Sequence, residues 1–335
     1  MTTAIIKKFK SVPFIDTVQC GDSARLLKQI PDNCVDLVVT SPPYFQQRSY
    51  GWGETGEENS VEGYVDAVLD VFGECVRIIK DTGSVVFNMG DKYLTGNLML
   101  IPYRFAIQAM NEGKVKLVNN ITWVKTNPTP RQFQRRLVSS TEPFFHFVKS
   151  NNYYYDIDSL EQDSKPSKPS KITTLGNRYD KLIRESNLSK HEKTQALSAL
   201  SNVVQEVRDS KITGFRMKIR DIHAPAFGGQ DGGRNIQMQK NGFTIIRMTG
   251  KSIKRDIMTS KVESIKWNSH PAIYPEQVIQ RIVKLLTPSK SIIVDPYMGS
   301  GTTGVVAKRL NRNFIGFDVN PEYCKQATRR IEKTI

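Results

Sequence analysis

The sequence predicts an α/β fold, a doubly wound parallel sheet, on three observations. Short apolar runs alternate with helical periodicity over roughly the first 150 residues. The same alternation returns after His270, and there a glycine-rich turn joins a strand to a helix.

Val35 to Thr40 (VDLVVT) and Ser84 to Met89 (SVVFNM) are apolar enough to be strands buried on both faces, as parallel strands are. Between them Val61, Val65, Val68, Leu69, Phe72, Val76 and Ile79 recur at three- and four-residue steps, one buried stripe of an amphipathic helix. Ile101 to Glu112 is a second helix with Gly113 placed to end it, and Ile121 to Lys125 and Phe144 to Lys149 are further strands. From Glu161 to His270 the apolar runs thin out. That span holds 21 Lys and Arg against 11 Asp and Glu, most of the chain's net charge of +15. Ser164 to Lys171 (SKPSKPSK) reads as an exposed linker, Leu188 to Val207 as an amphipathic helix, and Ala224 to Arg234 as a glycine-rich loop. After His270 come a helix (Glu276 to Leu286), a strand (Ser291 to Val294), a helix (Gly301 to Leu310), a strand (Phe314 to Phe317) and a helix from Pro321 to Ile331, its proline suited to the first turn. One sheet is thus assembled from both ends of the chain, with a basic insertion between them.

The chain has 335 residues, 39% of them hydrophobic, enough for a substantial core. Its positive charge attracts polyanions, so nucleic acid is the first partner to consider, against a merely basic soluble protein. Cys20, Cys34, Cys75 and Cys324 have no Cys-x-x-Cys spacing, and His146, His191 and His223 have no ligand spacing. Neither a disulfide framework nor a metal site is expected. The opening MTTAIIKKFK lacks the apolar run of a signal peptide and no later stretch is long enough to span a bilayer, which predicts a cytoplasmic protein without a membrane partner.

Two motifs carry chemistry. Asp295-Pro296-Tyr297-Met298-Gly299-Ser300-Gly301-Thr302-Thr303 follows a strand and opens a helix. Its glycines allow a tight turn, and the helix directs free N–H groups and a positive dipole end at a bound anion. Asp318 ends the next strand, where a carboxylate can accept hydrogen bonds from ribose hydroxyls. By itself this pair also suits a nicotinamide dehydrogenase. The second motif, Thr40-Ser41-Pro42-Pro43-Tyr44, stops a strand with two prolines and gives a stiff loop at the same edge of the sheet. There the Ser41 hydroxyl and the Pro42 carbonyl could each accept an N–H from an exocyclic amino group, and Tyr44 offers a flat face to a base.

Ser-Pro-Pro-Tyr early and Asp-Pro-Tyr-Met-Gly-Ser-Gly late resemble the permuted, beta-type DNA amino-methyltransferases of restriction–modification systems, which have a Rossmann-like sheet. Gly21-Asp22 resembles the family's segment along the cofactor adenine. Trp123-Val-Lys125 with Arg135, Arg136 and Glu142 resembles the stretch leading to its target-base pocket, and His270-Pro271-Ala-Ile-Tyr-Pro275 the segment over the methionine end of the cofactor. The resemblance implies S-adenosyl-L-methionine held by Asp22, His270, Pro271, Asp295, Pro296, Tyr297, Gly299, Ser300, Gly301, Thr302 and Asp318. It also implies catalysis by Ser41, Pro42, Pro43 and Tyr44, with Trp123, Lys125, Arg135 and Arg136 at the base pocket or on DNA. Residues 1–159 would form the catalytic part, 160–267 the target-recognition insertion and 268–335 the cofactor-binding part. Double-stranded DNA is the implied partner, with a cognate restriction endonuclease acting on the same site, and a homodimer is compatible with the pattern. No cysteine follows a proline, which disfavours a C5-directed nucleophile. Serine at position 41 leans toward cytosine N4 as the acceptor over adenine N6. An inactive DNA-binding relative, or methylation of RNA or of protein amide nitrogens, stays open at this stage.

Overall fold

The computed structural model describes residues 12–46, 55–128, 133–160, 172–224, 233–248, 254–262 and 275–334. The linker from Ser164 to Lys171, most of the loop after Ala224, and His270 and Pro271 lie outside the described residues. The chain divides into two compact units, Met1–Glu161 with Arg255–Ile335, and Gln162–Lys254.

The larger unit holds an eight-stranded sheet. Its strands are β1 (Thr17–Cys20), β2 (Val35–Thr40), β3 (Ile79–Asn88), β6 (Lys116–Lys125), β7 (Thr141–Val148), β10 (Ile257–Ser260), β11 (Ile292–Asp295) and β12 (Asn313–Asp318), while β4 (Tyr93–Leu94) and β5 (Asn97–Leu98) form a small separate hairpin. The order across the sheet is β1-β12-β11-β2-β3-β7-β6-β10. Pairing is parallel except for β7, which runs antiparallel to both β3 and β6. The sheet is therefore mixed, not purely parallel.

Alternation along the central strands feeds two cores. Val38, Val85 and Phe87 point to one face, where α1 (Ser23–Leu27), α2 (Val61–Ile78) and α3 (Ile101–Asn111) cover them. Phe72 of α2 sits in edge-on contact with Phe87, Phe105 and Phe147, with centroids 5.0–5.5 Å apart. Leu37, Val39 and Val86 point to the other face, under α7 (Glu276–Leu286), α8 (Thr302–Arg309) and α9 (Pro321–Glu332). Helices on both faces explain why these strands read as unbroken apolar runs. Buried His146 shares a hydrogen bond with Ser84 at 2.9 Å, and burial lowers its pKa to about 4, so it is neutral core material.

The smaller unit is more regular than its composition suggests. It contains α4 (Ile172–Glu185), α5 (Lys190–Arg208), β8 (Gly214–Ile219), α6 (Arg234–Asn241) and β9 (Phe243–Met248), with β8 and β9 paired antiparallel. Ser189 and Glu192 form a reciprocal capping box at the start of α5. Phe215, Met217 and Ile219 join Ile183, Leu200 and Val203 in a separate core, while Arg216 and Lys218 take the other face of β8. That alternation with basic residues hid the strand from a search for apolar runs. The expected boundary at 267 also moves, because β10 returns to the main sheet beside β6. Four residues with only Met258 and Ser260 buried gave no strand signal. Among the described residues no helix is long and apolar enough to cross a membrane.

Candidate active site

Strands β2 and β11 are parallel neighbours from which the chain departs in opposite directions, to β3 and to β12. Their carboxyl ends therefore open the crevice expected at a topological switch point. A buried hydrogen bond closes its floor, from Thr40 Oγ1 to Asp295 Oδ1 at 2.5 Å. Asp295 also accepts from the Tyr297 N–H at 3.1 Å and from Thr303 Oγ1 at 2.6 Å, and its side chain has no exposure. The carboxylate expected to face a cofactor instead ties the loop to β2 and to α8.

Other members of this loop also face inward. Arg330 donates to the Ser300 carbonyl at 2.9 Å, to Ser300 Oγ at 3.2 Å and to Thr302 Oγ1 at 3.1 Å, and its other nitrogen pairs with Glu276 at 2.7 Å. The Pro296 carbonyl accepts a hydrogen bond from Ser23 Oγ. Gly301, at φ +81°, stands where an added Cβ would lie 3.0 Å from the Ala327 backbone, so glycine is required by helix packing as well as by the turn. Tyr297 shares a hydrogen bond with Thr55, and burial raises its phenol pKa. Gly299 remains as a backbone position, its N–H donated to Asp318 Oδ2 at 2.8 Å.

Asp318 braces that loop from the end of β12, accepting a second N–H from Asn320 at 2.9 Å. Burial raises its pKa to about 6, against the lowering effect of the two N–H donors and with a smaller contribution from the nearby Asp295 charge. Pairing of β1 with β12 sets Cys20 beside Asp318, which brings Gly21 and Asp22 to the same edge. Asp22 caps α1 by accepting from the Arg25 N–H at 2.8 Å.

On the β2 side, Ser41, Pro42, Pro43 and Tyr44 leave the strand as an irregular loop. Tyr64 donates to the Pro43 carbonyl at 2.9 Å and so anchors the loop to α2. Ser41 Oγ donates to Asn88 Oδ1 at 3.2 Å. Asn88, wholly buried at the end of β3, donates its amide to the Pro143 carbonyl at 3.1 Å. The Tyr44 hydroxyl lies 2.8 Å from Glu142 Oε2 and 3.2 Å from Asn88 Oδ1, and Glu142 pairs with Lys125. Ser41, Asn88, Tyr44, Glu142 and Lys125 thus form one hydrogen-bonded chain across four adjacent strand ends, those of β2, β3, β7 and β6. One side of the Tyr44 ring lies against Gly90, where a Cβ would come 2.4 Å from Cε2.

The residues expected around a base separate into two sets. Glu142 reaches Tyr44 and holds Lys125, whereas Trp123 is 3% exposed and donates its ring N–H to Ser260 at 2.8 Å, a brace between β6 and β10. Arg135 is exposed, and Arg136 is sandwiched between Tyr93 and Phe133 at 3.6 and 3.8 Å. Sequence reasoning missed Asn88, Tyr64 and Arg330, and gave Thr40 no role of its own within the motif that it opens. Asn88 alone left a signal, a polar residue closing the run Val85-Val86-Phe87.

A switch-point crevice joining a glycine loop to a Pro-Pro-Tyr loop on this mixed sheet is the architecture of DNA methyltransferases. The family model described as "DNA methylase", which covers the N6 and N4 enzymes, matches residues 35–329, and the chain belongs to that family. It is 25% identical to Type II methyltransferase M.SfiI of Streptomyces fimbriatus over 90% of this chain and 88% of the relative. It is 24% identical to Type II methyltransferase M.Cfr9I of Citrobacter freundii over 93% and 86%. The fold is similar to that of the PvuII DNA methyltransferase (cytosine-N4-specific), with a TM-score of 0.59 at 19% identity over 95% of this chain and 87% of that one.

Proposed function

We propose that the protein transfers the methyl group of S-adenosyl-L-methionine to the N4 amino nitrogen of a cytosine extruded from duplex DNA. The observation that carries this reading is the chain from Ser41 through Asn88 to Tyr44, Glu142 and Lys125, set one strand away from the glycine loop. An exocyclic amino nitrogen is a weak nucleophile because its lone pair is delocalised into the ring. Ser41 spends its only hydroxyl proton on Asn88, so its oxygen presents lone pairs. That oxygen and the Pro42 carbonyl would accept the two amino N–H groups and favour a tetrahedral nitrogen. Tyr44, fixed by Glu142, would supply the face against which the base rests. A neutral hydroxyl is a poor base, but the ammonium formed on transfer is strongly acidic and loses its proton readily. What favours cytosine over adenine is the resemblance at Ser41, where adenine-directed relatives more often carry Asp or Asn.

The cofactor site fits this chain's residues. Asp318, desolvated and held by two backbone donors, would accept from ribose hydroxyls, and Asp22 lies at the adjoining strand end beside it. The methyl donor contributes an electrophilic methyl on a sulfonium. Asp295, Ser300, Thr302 and Arg330 hold the loop in shape, and Gly299 and Tyr297 flank the space. His270 and Pro271 would cover the methionine end. The order of the motifs, Ser41 to Tyr44 before Asp295 to Thr303, is the permuted arrangement. The unit Gln162–Lys254 would read the DNA sequence, since every described acidic residue in it has a basic partner while Arg178, Arg208, Arg216 and Arg234 have no carboxylate partner among the described residues. A restriction endonuclease for the same site is the expected companion. Reaction with isotope-labelled cofactor and duplex DNA, digestion to nucleosides and mass spectrometry test the reading. N4-methylcytosine is expected. N6-methyladenine alone would overturn the choice of base, and no labelled nucleoside would overturn the function.

A further inference from the structure

Leu137 leaves 91% of its surface in water, more than any other large apolar side chain among the described residues; the next, Ile107, leaves 55%. It lies on the connection from β6 to β7, between Lys125 and Glu142, both of which belong to the chain that holds Tyr44. This places it on the same edge of the sheet as the crevice. Its neighbour Arg136 is stacked on both faces, by Tyr93 at 3.6 Å and Phe133 at 3.8 Å. A guanidinium held in this way is fixed in place while its edge N–H groups remain available to a phosphate. Arg135, next to it, is exposed.

We infer that Leu137 enters the DNA stack at the position vacated by the extruded base. An apolar tip in water is stabilised only when something buries it. The partner met by a rim carrying Arg135 and Arg136 is a polyanion, and the apolar region of duplex DNA is the interior of its base stack. Extrusion of a base opens a gap there, whose walls lose their contacts until a side chain fills it. The stacked Arg136 would set the depth and angle of the wedge from the phosphate beside it. Leu137 is then a positioning residue, acting through the extruded base and touching no reacting atom.

The inference rests on the DNA methyltransferase reading, and its test separates the two. Once the methylated position is mapped, Leu137→Ala is compared with wild type on a fully paired duplex and on one carrying an abasic site opposite the target, where extrusion is already easy. We expect Leu137→Ala to lower kcat/KM on paired DNA by about tenfold or more, to regain most of it opposite the abasic site, and to keep cofactor affinity and melting temperature unchanged. Leu137→Phe should retain activity on paired DNA. Equal losses on the two substrates, or no loss on either, would overturn the wedge. Wild-type protein that methylated no duplex would overturn the underlying reading and the wedge with it.

Discussion

Gly90→Ala isolates the placement of Tyr44 from every other feature of the site. The backbone of Gly90 is not in the left-handed region, so alanine meets no φ penalty there, only the ring. Its Cβ would lie 2.4, 2.5 and 2.9 Å from Cε2, Cδ2 and Cζ of Tyr44. Carbon atoms rest at roughly 3.5 Å or more, so the ring must withdraw by about 1 Å. The Tyr44 hydroxyl is 2.8 Å from Glu142 and 3.2 Å from Asn88, and a shift of that size breaks one or both bonds. Overpacking of this kind costs about 1–3 kcal/mol of stability. A ~1 Å misplacement of a positioning group lowers turnover by about a hundredfold. The assay is methyl transfer at saturating cofactor, with cofactor affinity from calorimetry and Tyr44→Phe as the companion, since phenylalanine keeps the ring and loses only the hydroxyl. Gly90→Ala should lose turnover and keep cofactor affinity. Full turnover in a folded Gly90→Ala protein would refute the argument that Tyr44 must sit where Glu142 and Asn88 hold it.

Asn88→Ala should release the Ser41 hydroxyl and lower kcat by about tenfold, the worth of one hydrogen bond to a positioned group, with cofactor affinity intact. Arg330→Ala should weaken cofactor binding measured by calorimetry, because Ser300 and Thr302 lose their clamp; the loss of charge-assisted bonds corresponds to about 1.5–3 kcal/mol. Asp318 has a pKa raised to about 6, so its ionised form destabilises the empty fold above that pH and the strain is relieved as pH falls through 6 toward the ordinary carboxylate value. A cofactor that needs the ionised form should then bind with proton release below about pH 6, seen as a dependence of binding enthalpy on buffer ionisation, and a buffer-independent enthalpy would remove Asp318 from the linkage. Exchanging Gln162–Lys254 for the matching unit of a relative should move the methylated sequence, read by modification-sensitive sequencing, and leave the modified nucleoside unchanged.

Much of the fold was legible because burial on two faces leaves a strong mark. The runs of β2, β3, β11 and β12 and the stripe of α2 are strong apolar patterns; the structure leaves β2 as expected, shifts β11 along to Ile292–Asp295, widens β12 to Asn313–Asp318, and ends α2 at Ile78 so that Ile79 opens a longer β3. β8 and β10 were hidden because a short strand buried on one face alternates, and alternation over four to six residues resembles a loop. In the site, the motif positions were legible but their directions were not. Asp295, Ser300 and Thr302 read as ligand-facing, yet each satisfies a neighbour within the protein. A tight loop between a strand and a helix has polar groups of its own to bury, and spacing cannot distinguish these from groups offered to a ligand. Asn88 and Arg330 were missed for a related reason, since each acts through a partner distant in sequence.

The bond from Thr40 to Asp295 has a consequence for how the molecule is made. Ribosomes deliver β2 well ahead of its neighbour β11, with Thr40 and Asp295 255 residues apart in the chain. At about 5–20 residues per second, the hydrophobic edge at Leu37 and Val38 waits on the order of tens of seconds for its partner. Through that interval Thr40 has no Asp295 and the crevice has only one wall. A chain released early would therefore contain the Ser41 to Tyr44 loop without the other half of its site. Methyl transfer should appear only when β11 and β12 have docked beside β2, so that docking, and not the emergence of the Ser41 to Tyr44 loop, is the event that switches the enzyme on.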